Sequence, residues 1–255
     1  RIAGLAGAVS HAVLGGIVLL GVFTFYGTVK DMSPYGRLQK EGGWTMPSPL
    51  AWLLFECPQL FAFAATFWLT AERHSTPALL LFVLWQTHYL YRGFIYPLRR
   101  NDKGKRFPVL NVIFGFLFNL MNGYANGYAV SHAGHLADAA WLTSPWFVAG
   151  LVIAVTGWII NFQADNILID LRSDGSTGYK IPHGGCFRYV SAANYFGEIL
   201  LWSGWALMSL SWAGLVFVLF TLANLVPRAI ISHRWYREKF PDYPAQRKAI
   251  FPFVV

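Results

Sequence analysis

Apolar residues run almost unbroken through seven stretches of the chain, at about residues 5–27, 49–71, 77–97, 109–130, 145–170, 193–209 and 211–231. A helix crosses about 30 Å of hydrocarbon with about 20 apolar residues, and all seven stretches fall near that length. Pro47, Pro49, Pro77, Pro97, Pro108, Pro145 and Pro227 sit at or near their ends, where proline is tolerated best. Only Ser209, Leu210 and Ser211 part the last two stretches, which predicts a tight hairpin. Residues 2–29 lack the charged start and small-residue cleavage site of a signal peptide, so they read as a first span. With no repeat, low-complexity tract or long linker, the pattern predicts an all-α integral membrane protein. It has seven transmembrane helices in one polytopic domain, 1–255.

Composition agrees. Of the 255 residues 55% are hydrophobic and 13% charged, and mean hydropathy is +0.42. Soluble domains carry about 25% charged residues, so too few charges remain to cover a water-facing surface. The net charge of +8 does not indicate nucleic acid, because the basic residues lie at the ends of apolar runs. Sixteen Lys and Arg fall on one side: Lys30, Arg37 and Lys40; Arg99 to Arg106; Arg172, Lys180 and Arg188; and five in the tail from Arg234 to Lys248. The other side holds Arg1 and Arg73. This bias sets the C-terminus in the cytosol and, with an odd number of spans, the N-terminus outside. A chain starting at Arg1, without Met, reads as trimmed or as part of a longer gene product. Cys57 and Cys186 are too few for a disulfide framework.

Ionisable groups at bilayer depth are costly and mark function. Glu56, His88, Arg92, Asp165 and Glu198 lie there. Tyr89, Arg92 and Tyr96 share one helix face, as do Asn119, Asn122 and Asn126, then Asn161, Asp165 and Arg172, then Asn194 and Glu198. No water in the lipid satisfies such stripes, so they are expected to converge on an internal ligand cavity. The same stripes also suit interhelical hydrogen bonds or a proton relay. Seven tryptophans, at 52, 85, 158, 202, 205, 212 and 235, read as interfacial belt or packing. The glycine-rich loop 172–189 is either a connector or a loop whose backbone N–H groups approach phosphates. No G-x-G-x-x-G follows a strand, which excludes a Rossmann site.

The run Asn161-Phe-Gln-Ala-Asp165, then Leu171-Arg172, Gly178-Tyr179-Lys180-Ile-Pro-His-Gly-Gly185, Phe187-Arg188-Tyr189-Val-Ser191 and Ala193-Asn194-Tyr-Phe-Gly197-Glu198 resembles the signature of the steroid 5α-reductase family. The tail continues it through Arg228, His233, Trp235-Tyr236, Phe240-Pro-Asp-Tyr243 and Arg247 to Pro252. The first half matches more thinly, at Ala51-Trp52, Glu56, Pro58, His88-Tyr89, Arg92 and Tyr96. The overall likeness is to the short, type 2-like members.

The resemblance implies a seven-helix fold that binds NADPH and a small steroid. Residues up to about 130 form the substrate side and about 145–255 the cofactor signature. Asn161, Asp165, Arg172, Tyr179, Lys180, Asn194, Glu198, Arg228, His233 and Tyr236 match cofactor-contacting positions; Glu56 and Tyr89 match the pair that holds the 3-keto oxygen. No metal is implied. Phe55 departs from a Gln, and Ser232 from a His, found in relatives. The implied reaction moves a hydride to C5 of a 4-en-3-one and a proton to C4, with a buried donor stabilising the charge that develops on the ketone oxygen. A monomer in the bilayer, of either the bacterial inner membrane or the endoplasmic reticulum, is expected. The competing readings are an isoprenylcysteine-type methyltransferase using S-adenosylmethionine, suggested by Arg237-Glu238, Phe240 and Tyr243, and a non-enzymatic sterol-binding or transport protein.

Overall fold

Each of the seven apolar stretches is helical in the computed structural model, which describes residues 2–30, 43–70, 74–100, 104–171, 173 and 178–254. The helices are α1 (Ile2–Val29), α2 (Ser48–Thr70), α3 (Thr76–Leu90) and its short continuation α4 (Tyr96–Arg99), α5 (Val109–His132), α6 (Pro145–Asp170), α7 (Ala193–Ser209) and α8 (Trp212–Lys239). Serine sets three of the starts: Ser75, Ser144 and Ser211 each accept a backbone N–H of the first turn of α3, α6 and α8. Leu210, left-handed at φ 37°, ends α7 and makes the hairpin into α8 as tight as its three residues suggest. The basic residues Arg1, Arg37, Lys40, Arg73, Lys103 and Arg172, used above for orientation or as a cofactor contact, lie outside the described residues.

The chain is a membrane protein. Among the described residues, four helices are long and apolar enough to cross a bilayer: Ala8–Val29 of α1, then α2, α6 and α8. The helices α3 and α7 are shorter, at 15 and 17 residues. The all-α expectation needs one amendment, a two-stranded antiparallel sheet of β1 (Thr45–Pro47) and β2 (Arg106–Pro108). Its strands lead directly into α2 and α5 and tie those helices at one end. Arg106 clasps the pair by donating to the Thr45 hydroxyl and carbonyl at 2.7 and 2.6 Å. Strands of three residues carry no periodicity to read.

Small residues set the helix pairs. In α6 the positions Gly150, Ala154, Gly157 and Asn161 recur at i, i+4, i+7 and i+11, and in α7 Gly197, Leu201, Gly204 and Met208 do the same. The two faces meet antiparallel. A Cβ at Gly157 would lie 2.6 Å from the Gly197 carbonyl oxygen, and one at Gly197 would lie 2.7 Å from that of Gly157. Such approach of backbones is how apolar helices associate where lipid offers no hydrophobic drive. Gly197→Ala is therefore expected to force α6 and α7 apart, costing about 1–3 kcal/mol. Fluorescence-detected gel filtration after a heat step should show a lower midpoint; an unchanged midpoint would contradict this packing.

Between α2 and α5, Gly123 and Gly127 pack on the backbone of Gln59 and Phe63. The asparagine stripe of α5 is taken up here. Gln59 donates to Asn119 at 2.7 Å, Asn119 donates to the Phe55 carbonyl, and Asn126 accepts from the Trp205 indole at 2.8 Å. Asn119 and Asn126 of that stripe thus serve as hydrogen-bonded seams rather than as walls of a ligand cavity. Phe63, Trp85, Trp202, Trp205 and Phe217 stack into one buried plate from α2, α3, α7 and α8, with Trp85 4.7 Å from Phe63 and Trp205. The three tryptophans among them are packing residues, whereas Trp212 is 74% exposed.

The C-terminal tail turns back on the loop before α7. Val190 and Lys248 form a parallel bridge, extended by Ser191 N–H to the Lys248 carbonyl and Ala192 N–H to the Ala249 carbonyl. Ile250, fully buried, enters a small core of Ala192, Ile199, Leu225 and Ala229.

Candidate active site

A single irregular turn brings the ionisable groups together. After Leu90 the helix widens into a π-turn, Tyr91–Ile95, closed by the Tyr96 N–H donating to the Tyr91 carbonyl five residues back. The regular α spacing expected through Tyr89, Arg92 and Tyr96 is broken there. Such turns often accompany functional positions, and this one turns Arg92 into the bundle.

Arg92 meets carboxylates from three helices. Its Nη1 donates to Asp165 Oδ2 at 2.9 Å; its Nε lies 3.5 Å from Glu56 Oε1 and its Nη2 3.7 Å from Glu198 Oε2. Trp52 and Tyr96 flank the guanidinium, at 5.0 and 4.8 Å from their ring centroids. Only the Asp165 contact has hydrogen-bond length. Glu56 and Glu198 are held by charge, which leaves their oxygens able to accept from a ligand. Asp165 is completely buried, and among the described residues its Oδ1 has no hydrogen-bond partner. The cluster has one formal positive charge against three negative ones, so it is built to receive donors.

Tyr89 lies on the turn before. Its ring is 3% exposed, stacked on Trp202 at 5.6 Å and edge-on to His88 at 5.0 Å. The hydroxyl makes no hydrogen bond to a described residue and is within electrostatic range of Glu56 and Glu198. The expected Glu56–Tyr89 pair is therefore near but not bonded; Glu56 is turned to Arg92. Phe55 packs its ring against Gly115.

The remaining predicted positions form two further groups. Asn161 donates to the Asn194 backbone carbonyl at 2.9 Å, so this pair joins α6 to α7 one turn from Asp165 and Glu198. The others gather where α8 meets the tail. Tyr179 packs on Trp235, Tyr236 stacks on Tyr243, and His233 Nδ1 lies 2.6 Å from Ser191 Oγ, which also meets Tyr243. Arg228 donates to Asn224 at 2.8 Å, and Lys180 lies exposed on the loop. Arg172 lies outside the described residues.

Two arginines received no role from the sequence. Arg92 was visible as an intramembrane charge, but its partners come from 36, 73 and 106 residues away. Arg247 is 4% exposed, donates to the Pro182 carbonyl at 3.0 Å, and leaves its Nε without a partner among the described residues. A guanidinium buried against a glycine-rich loop, with no ion pair to a carboxylate among the described residues, suits an anion.

A family model for 3-oxo-5-alpha-steroid 4-dehydrogenase matches residues 105–255. Full-length relatives agree. A steroid 5-alpha-reductase DET2 of Solanum lycopersicum is 45% identical over 230 residues, covering 87% of this chain and 88% of the relative. The chain belongs to the steroid 5α-reductase family. It is likewise similar to the 3-oxo-5-alpha-steroid 4-dehydrogenase 1 of Rattus norvegicus, 40% identical over 88% of this chain and 86% of the relative, and of Homo sapiens, 42% identical over 82% and 81%. As a member of this family of oxidoreductases the chain is an enzyme. The family match covers Asp165, Glu198 and Arg247, whereas Glu56, Tyr89 and Arg92 lie ahead of it.

Proposed function

We propose that this chain reduces the C4=C5 double bond of 3-oxo-Δ4 steroids to 5α-3-oxosteroids, using NADPH. The observation that carries the reading is the Arg92 cluster. It joins Glu56, from the half expected to hold the steroid, to Asp165 and Glu198, from the half expected to hold the cofactor. Ketone-holding and cofactor-holding residues thus share one buried network.

The residues fit NADPH at both ends. Asp165, with its unpartnered buried oxygen, and Asn161, Asn194 and Glu198 suit the amide and hydroxyl donors of a nicotinamide riboside. Arg247, whose Nε has no partner among the described residues, suits phosphates with Arg228 and Lys180, and Tyr179, His233 and Tyr236 add aromatic and polar contacts; Arg172, outside the described residues, is assigned to the cofactor by the resemblance alone. When bound, NADPH supplies the hydride that C5 accepts. The protein's part is to hold the enone and its charge. Tyr89, fixed by Trp202 and His88, donates its hydroxyl to the ketone oxygen as negative charge develops there. Glu56, held by Arg92, supports that donor or contributes its own, and C4 takes a proton. The plate of Phe63, Trp85, Trp202 and Trp205 keeps water from the reacting atoms. All seven helices are proposed to cross the bilayer, with the N-terminus outside, the C-terminus cytosolic, and the protein a monomer.

Purified protein in detergent, given NADPH and a panel of 4-en-3-one steroids, should yield 5α-3-oxo products by mass spectrometry. Retention of steroid without reduction would favour a sterol carrier instead. NADPH is expected to exceed NADH in kcat/KM by about 10- to 100-fold, the worth of one or two hydrogen bonds to a charged group. Equal values would remove the role given to the basic residues.

A further inference from the structure

The chain leaves the bilayer along α8 and comes back along its tail. Trp212, 74% exposed at the hairpin between α7 and α8, is placed like an aromatic at one membrane boundary. From that hairpin the 17 residues of α7 reach about 26 Å, so its first turn still lies within about 30 Å of hydrocarbon. The 28 residues of α8 reach about 42 Å and clear the far boundary. Asp242, exposed just past that end, stands in water.

The tail then undoes that distance. Ile250 is buried among Ala192, Ile199, Leu225 and Ala229, which returns it to the level of the first turn of α7. Phe251 sits edge-on to Phe196 of that turn, with ring centroids 6.3 Å apart. A final turn follows, closed by the Val254 N–H donating to the Phe251 carbonyl at 3.1 Å.

This turn presents apolar side chains to the outside. Phe253 is 80% exposed and Val254 70%, and the Phe253 ring meets that of Tyr189, itself 43% exposed, at 5.6 Å. Phe253 is held at φ 67°, in the left-handed region that bulky residues avoid. Such strain persists only where the surroundings favour it, and a ring so exposed gains little from the protein itself. At the level of the first turn of α7 the surroundings are lipid. Aromatic rings concentrate at the edge of the hydrocarbon. The tail also continues the apolar surface of α8, since Phe251 packs on the same small core as Leu222 and Val226. An irregular segment is tolerated at that edge, where water still reaches backbone groups, and not deeper.

We infer that the tail is re-entrant: Tyr189, Phe253 and Val254 form a docking surface for the bilayer, seated between the headgroups and acyl chains of its glycerophospholipids. The contact pins the segment that carries Arg247 and Ile250 against the loop before α7.

The test uses the full chain in nanodiscs of phosphatidylcholine, with the photoreactive aromatic p-benzoylphenylalanine in place of Phe253 or, as the control, of Asp242. Irradiation should add phospholipid to the peptide that carries position 253 and none to the peptide that carries position 242, read by mass spectrometry. Phe253→Asp puts a charge at the bilayer edge and should release the tail. Hydrogen exchange at the Ser191, Ala192 and Lys248 amides, which bond the tail to the loop, should then rise about tenfold, because a charge is costly at bilayer depth. Phe253→Leu should keep their protection. Should Phe253→Asp fail to fold, the photolabel decides alone. Equal lipid adducts at the two positions, or exchange unchanged by Phe253→Asp, overturn the inference. A cross-linked dimer also overturns it, since the patch would then belong to a second copy of the chain. So does equal release in Phe253→Leu, which would mean that the ring contact with Tyr189, and not the membrane, holds the tail.

Discussion

Replacing Arg92 with methionine is expected to destabilise the bundle by about 3–5 kcal/mol and to abolish turnover. Methionine fills the stem's volume, but it leaves Glu56, Asp165 and Glu198 facing one another with no cation among them. Breaking a buried ion pair by removing one partner costs that much because the surviving charge stays buried and uncompensated. Here three such groups survive, from three helices. Arg92→Lys separates charge from geometry. An ammonium restores the positive charge but lacks the planar fork that reaches three carboxylates at once. The lysine variant should fold yet bind cofactor and steroid poorly, while the methionine variant should fail to accumulate as a monodisperse species. Size-exclusion profiles and turnover read both. A folded, active Arg92→Met protein would show that the carboxylates are organised by something else.

Tyr89→Phe should lower kcat by about 100- to 1,000-fold, the loss found on removing one oxyanion donor. The ring keeps its stacking on Trp202 and its contact with His88, and no hydrogen bond to a described residue is lost. Folding and NADPH affinity should stay near the unmodified protein's. Glu56→Gln should be less impaired, since an amide still donates and still approaches Arg92. In the double variant, a loss no larger than that of the worse single variant would mean that the two act together. A folded, cofactor-loaded Tyr89→Phe protein with most of its turnover would remove Tyr89 from the chemistry and leave Glu56 as the candidate.

Length and hydropathy made the helices legible. Seven apolar runs gave seven helical segments, and Ser209-Leu210-Ser211 gave the hairpin, because each signal is local. What escaped was non-local. The π-turn at Tyr91–Ile95 shifts the register by one residue, and nothing in Tyr-Arg-Gly-Phe-Ile announces it. The α5 asparagines read like any polar stripe; only the positions of Gln59 and Trp205 reveal that Asn119 and Asn126 act in seams. Arg92 and Arg247 were visible as basic residues, but a cation's meaning lies in what surrounds it. The substrate-side pair stood out only through resemblance: a glutamate in one span and a tyrosine 33 positions later carry no spacing rule.

The returning tail has a consequence for the order in which the protein is made. A ribosome adds Arg247 and Ile250 only after α8 has been synthesised. Until they emerge, the Pro182 carbonyl lacks its arginine, and Ala192, Leu225 and Ala229 lack the side chain that fills the space between them. The loop between α6 and α7 therefore closes last. The nascent chain reaches the bilayer as a set of helices and gains its finished face around Pro182 and Ala192 only after Ile250 has emerged.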